Sequence, residues 1–75
     1  MTIFKSIDIR GLTFFNSYDK TLEAIREVKI DGVLELILDP KENFTEAFKK
    51  WAHSQGYGAT DVDDDTQMTR LFIKK

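Results

Sequence analysis

Residues 8–17 read Asp8-Ile9-Arg10-Gly11-Leu12-Thr13-Phe14-Phe15-Asn16-Ser17 and carry the chain from a predicted strand into a predicted helix. Upstream, Ile3, Ile7 and Ile9 are predicted to share one face of a strand over residues 3–9, because they fit a period-2 pattern. Downstream, apolar residues recur at helical spacing from about residue 17 to residue 28. The stretch therefore predicts a strand, a loop and a helix in succession.

The loop carries its own signals. Gly11 lets the backbone change direction, since glycine adopts conformations that other residues avoid. Asn16 or Ser17 is predicted to cap the helix, because a short side chain with an oxygen accepts a hydrogen bond from the first free backbone N–H groups.

The middle of the chain predicts a strand and a second helix. Residues 33–38 are apolar except at Glu35, which is typical of an interior strand with at least one covered face. Asn43 and Glu46 have the spacing of a capping box, and Gly56 is placed to end the helix that follows. Apolar residues recur in that helix with the spacing i, i+3, i+4, i+7 and i+8: Phe44, Ala47, Phe48, Trp51 and Ala52.

Two further strands are predicted over residues 58–63 and 68–74, with a turn at residues 64–66. The order is strand-helix-strand-helix-strand-strand, or βαβαββ. Short helices between strands favour right-handed parallel crossovers, and the last two strands favour an antiparallel hairpin. We therefore predict one domain over residues 1–75 of the α/β (α+β) class. It is a two-layer sandwich with two helices on one face of a four-stranded mixed sheet.

Four residues of the opening stretch keep the spacing of a known motif: Asp8, Arg10, Gly11 and Leu12. They resemble the signature of the TusA/SirA-like sulfur-carrier family, Asp-x-Arg-Gly-Leu-x-Cys-Pro-x-Pro. Phe14 stands where the family has its reactive cysteine, and Phe15 and Ser17 stand where it has prolines. The resemblance continues along the chain at the following places: Gly32 with residues 34–36, Asp39-Pro40, Trp51-Ala52, Gly56-Tyr57 and the apolar, basic end at residues 71–75.

The resemblance implies a fold and a reaction, but this chain lacks the residue that the reaction requires. Family members carry sulfur as a cysteine persulfide, in pathways such as tRNA thiolation. A cysteine at a helix N-terminus ionises readily, and its thiolate is the nucleophile. This chain contains no cysteine, and a phenyl ring at position 14 forms no persulfide. We therefore expect a protein that is not an enzyme and has no catalytic residue, no cofactor and no metal.

The vacated position suggests binding instead. Phe14 and Phe15 either form an exposed hydrophobic docking site or fold into the core beneath the helices. Arg10 either grips an acidic group of a partner or pairs within the chain with Asp8 or Asp39. The candidate contact residues for an unidentified protein partner are Arg10, Gly11, Phe14 and Phe15.

The other charged residues do not predict a metal site or a catalytic site. The acidic run at residues 61–65 lacks the glycine and the glutamate that an EF-hand loop requires, since Thr66 and Phe72 occupy those places. It is interpreted as a solvated turn. His53 is the single histidine and is assigned to the surface, as are Lys49 and Lys50.

Composition excludes several classes of partner. The formal net charge is −2, from eleven basic and thirteen acidic residues, which disfavours nucleic acid. No apolar run reaches the length of a membrane span, and the N-terminus lacks the pattern of a signal peptide, so a cytoplasmic location is expected.

The sheet face without helices is predicted to carry Val33 and Ile37, joined by Phe4 and Phe72, and to support a homodimer or a contact with a different protein. Two functions remain as hypotheses. One is a protein-binding or regulatory module that has lost sulfur transfer. The other is an accessory subunit that supports a cysteine-bearing partner in a sulfur relay.

Overall fold

The computed structural model describes residues 3–39, 44–63 and 68–75. The elements within them are β1 (Ile3–Asp8), α1 (Phe14–Glu27), β2 (Val33–Leu38), α2 (Phe44–Ser54), β3 (Gly58–Asp63) and β4 (Thr69–Lys74). They form a four-stranded sheet in the order β1-β2-β4-β3, in which β1 and β2 are parallel and the other pairs antiparallel. The predicted βαβαββ order, mixed sheet and α+β sandwich are confirmed. No helix in the described residues is long and apolar enough to cross a membrane.

The interior strand β2 organises the core. Leu34, Leu36 and Leu38 alternate on its helix-covered face and are buried, with Phe48 and Ala52 of α2 in the same cluster. Each buried leucine or phenylalanine side chain contributes about 1.5–3 kcal/mol relative to exposure. The predicted bounds of β2 and β3 agree with the structure, while β4 begins at Thr69, one residue after the predicted start.

Strand β1 contains an irregularity that the alternation of isoleucines did not predict. The register shifts between Ile3 and Lys5, so that Ile3 lies opposite Val33 while Ile7 lies opposite Leu36. Because directly paired residues share a face of the sheet, Ile3 and Ile7 lie on opposite faces. The prediction that they share one face was wrong, because one extra residue in β1 reverses the alternation.

Helix α1 begins three residues before its predicted start. Its N-cap is Thr13, whose Oγ1 accepts a hydrogen bond from the backbone N–H of Asn16 at 3.2 Å. The prediction of Asn16 or Ser17 as the cap was therefore wrong. Both residues lie inside the helix, where Ser17 is buried.

Helix α2 follows its predicted stripe and ends as predicted. Gly56 has φ +81°, the left-handed conformation that glycine adopts without strain. Its N–H donates to the His53 carbonyl at 3.0 Å, and the Tyr57 N–H donates to the Ala52 carbonyl at 2.9 Å. The predicted cap at Asn43 and the predicted turn at residues 64–66 lie outside the described residues.

Candidate functional site

The loop between β1 and α1 is held from within the chain. The Arg10 guanidinium folds back onto the Asp8 carboxylate, with Nη2 at 2.8 Å from Oδ2 and Nε at 3.0 Å from Oδ1. The Arg10 backbone N–H donates to the same carboxylate at 3.0 Å. Of the two roles predicted for Arg10, the structure contains the intramolecular pair with Asp8. Bidentate pairing fixes the orientation of the guanidinium.

A second carboxylate fixes the next residue of the loop. The Gly11 N–H donates to Oδ2 of Asp39 at 2.8 Å, and Asp39 follows directly after β2. Gly11 has φ +77°, so its backbone occupies the left-handed region. The parallel strands β1 and β2 thus end side by side, and Asp39 ties the loop of one to the end of the other. The start of α1 is consequently placed at a defined point over the sheet edge.

Gly11→Ala is expected to destabilise the fold by about 1–2 kcal/mol, because a side chain at positive φ is strained. A Cβ at position 11 would meet no atom within 4 Å, so the cost arises from backbone strain alone. Urea unfolding measures it. Gly58→Ala is the matched control, because Gly58 has no positive φ and its Cβ would meet only Lys74 at 3.8 Å. Equal stability of the two variants would contradict the argument.

The hydrogen bond from Arg10 lowers the pKa of Asp8 below its ordinary value of 3.8, against the opposing effect of desolvation. A carboxyl whose pKa is lower in the folded state stabilises the fold above its unfolded pKa, and this contribution is lost as pH falls through the folded pKa. We expect Arg10→Met to return the pKa of Asp8 toward 3.8, since the side-chain donor is removed.

Carbon-13 detected titration of the Asp8 carboxyl measures this change, and acid unfolding below about pH 4 should become less steep in the variant. Lys49 offers a control, because its ammonium pairs with Asp61 at 2.7 Å and lowers the pKa of that separate carboxyl. Lys49→Met should shift Asp61 and leave Asp8 unchanged. A titration of Asp8 that is identical in the Arg10→Met variant would refute the assignment.

Phe14, where the motif that residues 8–17 resemble has a cysteine, begins α1 and belongs to an aromatic cluster. Its ring lies 5.2 Å from that of Phe44 and 5.5 Å from that of Phe48, both in α2, and 6.0 Å from that of Tyr18. Edge and offset contacts of this kind add about 0.5–1.5 kcal/mol each beyond burial. Phe14 is half-buried and joins the two helices, so its ring has a structural role.

Phe15 has the opposite environment. Its side chain is 80% exposed, and its ring meets the Phe14 ring edge-on at a centroid distance of 6.5 Å. The sequence left open whether Phe14 and Phe15 are buried or exposed. In the structure Phe14 is packed against the core and Phe15 is exposed. An aromatic ring held in water beside a partly buried one forms an apolar projection at the N-terminus of α1.

The aromatic cluster continues along the seam between the helices. The Tyr18 ring lies 5.9 Å from that of Trp51, which lies 6.0 Å from that of Tyr57. All three side chains are half-buried. The apolar stripe of α2 was predicted from its spacing, but the edge-on contact of Tyr18 with Trp51 was not. The spacing of apolar residues predicted α1, and only the packing of the helices assigns the contacts of Tyr18.

The remaining predicted positions are also located. His53 is exposed, as predicted. Lys49 was interpreted as an ordinary surface charge, but it pairs with Asp61 across α2 and β3. Within residues 3–39, 44–63 and 68–75, no three acidic or histidine side chains are grouped to hold a metal ion.

The open face of the sheet is less apolar than predicted. Val33 and Ile37 of β2 and Phe72 of β4 do lie on it, by register. Between them Glu35 is only 7% exposed, accepts a hydrogen bond from the Ser6 hydroxyl and pairs with Arg70 at 3.4 Å. Charged groups are depleted at the centre of protein interfaces, so this network disfavours a tight face-to-face dimer. The homodimer stays a prediction, and sedimentation of the purified chain can test it.

The sequence matches no protein-family model and no curated protein. The structure is similar to the crystal structure of a SirA-like protein from Desulfitobacterium hafniense, with a TM-score of 0.81 and 19% sequence identity. The match covers 95% of this chain and 96% of that chain. At this identity the similarity concerns the fold, and it agrees with what residues 8–17 implied. The chain has the fold of a SirA-like protein.

Proposed function

We propose that this chain is a non-catalytic, cytoplasmic protein-binding module with a SirA-like fold, and that its partner docks on the surface around Phe15. The observation that carries the proposal is the environment of that side chain. A phenyl ring that is 80% exposed gains about 1.5–3 kcal/mol when a partner buries it. Few side chains offer more binding free energy from a single position.

The loop beside Phe15 supports a docking role. Arg10 and Gly11 are held by Asp8 and Asp39, so the loop loses little conformational freedom when a partner binds. Phe14 supports the Phe15 ring from below, at 6.5 Å between centroids. An aromatic anchor at the start of a helix, beside a fixed loop, resembles the rigid aromatic residues that dominate binding hot spots.

Sulfur transfer is not proposed, because the chain lacks the atom that it requires. A persulfide forms when a thiolate accepts sulfur, and the sequence contains no cysteine. Ser17, the nearest hydroxyl on the helix, is buried and cannot form a persulfide. The module would then act by recognition alone. Its partner is either a regulatory target or a cysteine-bearing protein of a sulfur relay.

Phe15→Ala is expected to abolish capture of the partner from an extract of the native host. Ile30→Ala is the matched control, because Ile30 is 81% exposed but lies beyond the far end of α1. Affinity capture with quantitative mass spectrometry compares the two variants with the unaltered chain. The expected result is a protein retained by the unaltered chain and by Ile30→Ala, and lost with Phe15→Ala.

The loss should amount to about 10- to 100-fold in affinity, the usual effect of truncating an aromatic hot spot. Isothermal titration with the captured protein measures it. Equal retention by both variants would reject the Phe15 surface. Covalent sulfur on the unaltered chain after incubation with a persulfide donor would reject the non-catalytic assignment.

A further inference from the structure

A cavity of about 250 Å³ lies on the open side of the sheet, where β2, β4 and β3 meet. In that region the strand ends are aligned, with Val33 opposite Lys74 and Lys74 opposite Gly58. The cavity lies on the face opposite the helices, and it is separate from the Phe15 surface. It is lined by Val33, Gly58, Ala59, Thr60, Phe72 and Lys74.

Gly58 opens this cavity, and nothing in the backbone requires a glycine there. Its φ is not positive, and β3 pairs with β4 in an uninterrupted register with no bulge. A Cβ at position 58 would meet only the Lys74 Cβ, at an ordinary contact distance of 3.8 Å. Gly58 begins β3, and glycine in a strand often marks a place where a ligand or another backbone approaches closely.

The charge of the cavity is positive. Lys74 is exposed and is the ionisable residue among the described lining residues. It takes part in none of the ion pairs formed by the described residues. Phe72 and Val33 supply apolar walls beside it. The cavity therefore combines an apolar floor with one cation at its rim.

We propose that this cavity docks a segment of a partner protein that presents one bulky apolar side chain next to a carboxylate. Its volume lies below the range of about 300–1,000 Å³ that is typical of sites for whole small molecules, and it suits a single side chain. The apolar side chain enters over Gly58 and packs on Phe72. The carboxylate pairs with the Lys74 ammonium. Because this surface and the Phe15 surface lie on opposite layers, the chain can hold two partners at once.

The test uses two peptides with blocked ends, Gly-Gly-Phe-Asp-Gly-Gly and Gly-Gly-Phe-Lys-Gly-Gly, titrated into the isotopically labelled full chain. Amide resonances of Gly58, Thr60, Phe72 and Lys74 are expected to shift. The aspartate peptide should bind about two- to five-fold more tightly than the lysine peptide, as expected for one exposed ion pair. Shifts confined to residues 12–18, or no preference between the peptides, would overturn the proposal.

Two variants sharpen the test. Gly58→Val fills the cavity and should abolish binding, while the fold persists because valine favours strands. Lys74→Glu should reverse the preference, so that the lysine peptide binds more tightly. Val62→Ala, on the same strand and face but outside the cavity lining, should bind like the unaltered chain.

Binding that survives Gly58→Val would refute the site. Concentration-dependent shifts of the same four amides without peptide would instead assign the cavity to a second copy of the chain, and would also overturn the proposal. Either result would leave the proposed docking at Phe15 standing, since that docking is tested with different variants.

Discussion

Phe48→Ala is expected to leave little folded protein at room temperature. Phe48 is a completely buried residue of α2, and its ring lies 5.5 Å from that of Phe14. Removing a buried phenyl ring costs about 3–5 kcal/mol, through lost apolar contact and the cavity that remains. A 75-residue chain has a total stability of only about 4–11 kcal/mol, at roughly 0.05–0.15 kcal/mol per residue. A domain this small buries a smaller fraction of its surface than larger domains do and lies near the lower end of that range, where the loss equals the whole stability.

Urea unfolding followed by circular dichroism measures the effect, and Phe15→Ala is the control. It removes the same ring from a side chain that is exposed, so the free energy of unfolding should fall by less than about 1 kcal/mol. This pair of variants separates the structural ring from the binding ring. A fully cooperative transition of normal midpoint in Phe48→Ala would show that the core depends on other residues.

Phe14→Cys is expected to create a thiol that loads sulfur. Position 14 is the first residue of α1, directly after the Thr13 cap, so a thiolate there would face the positive end of the helix dipole. Its pKa should lie below the ordinary value of about 8.5, as for cysteines at other helix N-termini. Incubation with a polysulfide donor should add one sulfur atom. The thiolate attacks the terminal sulfur, and the shortened polysulfide leaves.

The titration of thiolate absorbance measures the pKa, and mass spectrometry measures the added sulfur. Ile30→Cys is the control, because it places a more exposed thiol beyond the other end of α1, where the dipole is negative. Identical titration of the two thiols would mean that Asp8 and Asp39 cancel the field of the helix. The Phe14→Cys variant should also lose about 1–3 kcal/mol of stability, because the ring contacts of Phe14 disappear.

The elements with the strongest periodicity were predictable from sequence. The run of leucines in β2 and the i, i+3, i+4 spacing in α2 indicate burial whatever surrounds them, and both elements begin and end close to the predicted residues. Gly56 was predictable as a helix terminator for the same reason, since left-handed backbone favours glycine.

Features that depend on a single inserted residue, or on a choice between neighbouring residues, were not predictable. The extra residue in β1 moves Ile3 to the other face while leaving the sequence pattern intact. Thr13 was not predicted as the cap, because Asn16 and Ser17 also carry short side chains with a capping oxygen. The sequence also left open which of Phe14 and Phe15 is exposed. Adjacent identical side chains are distinguished only by the direction each takes from the helix.

The irregularity in β1 also has a consequence for the behaviour of the chain at high concentration. β1 is an edge strand, and Ile3 and Phe4 are both exposed there. A straight apolar edge invites other chains to add strands and to grow into fibrils. The irregularity between Ile3 and Lys5 breaks that straight edge. A single extra residue thus disfavours the addition of a further strand at this edge.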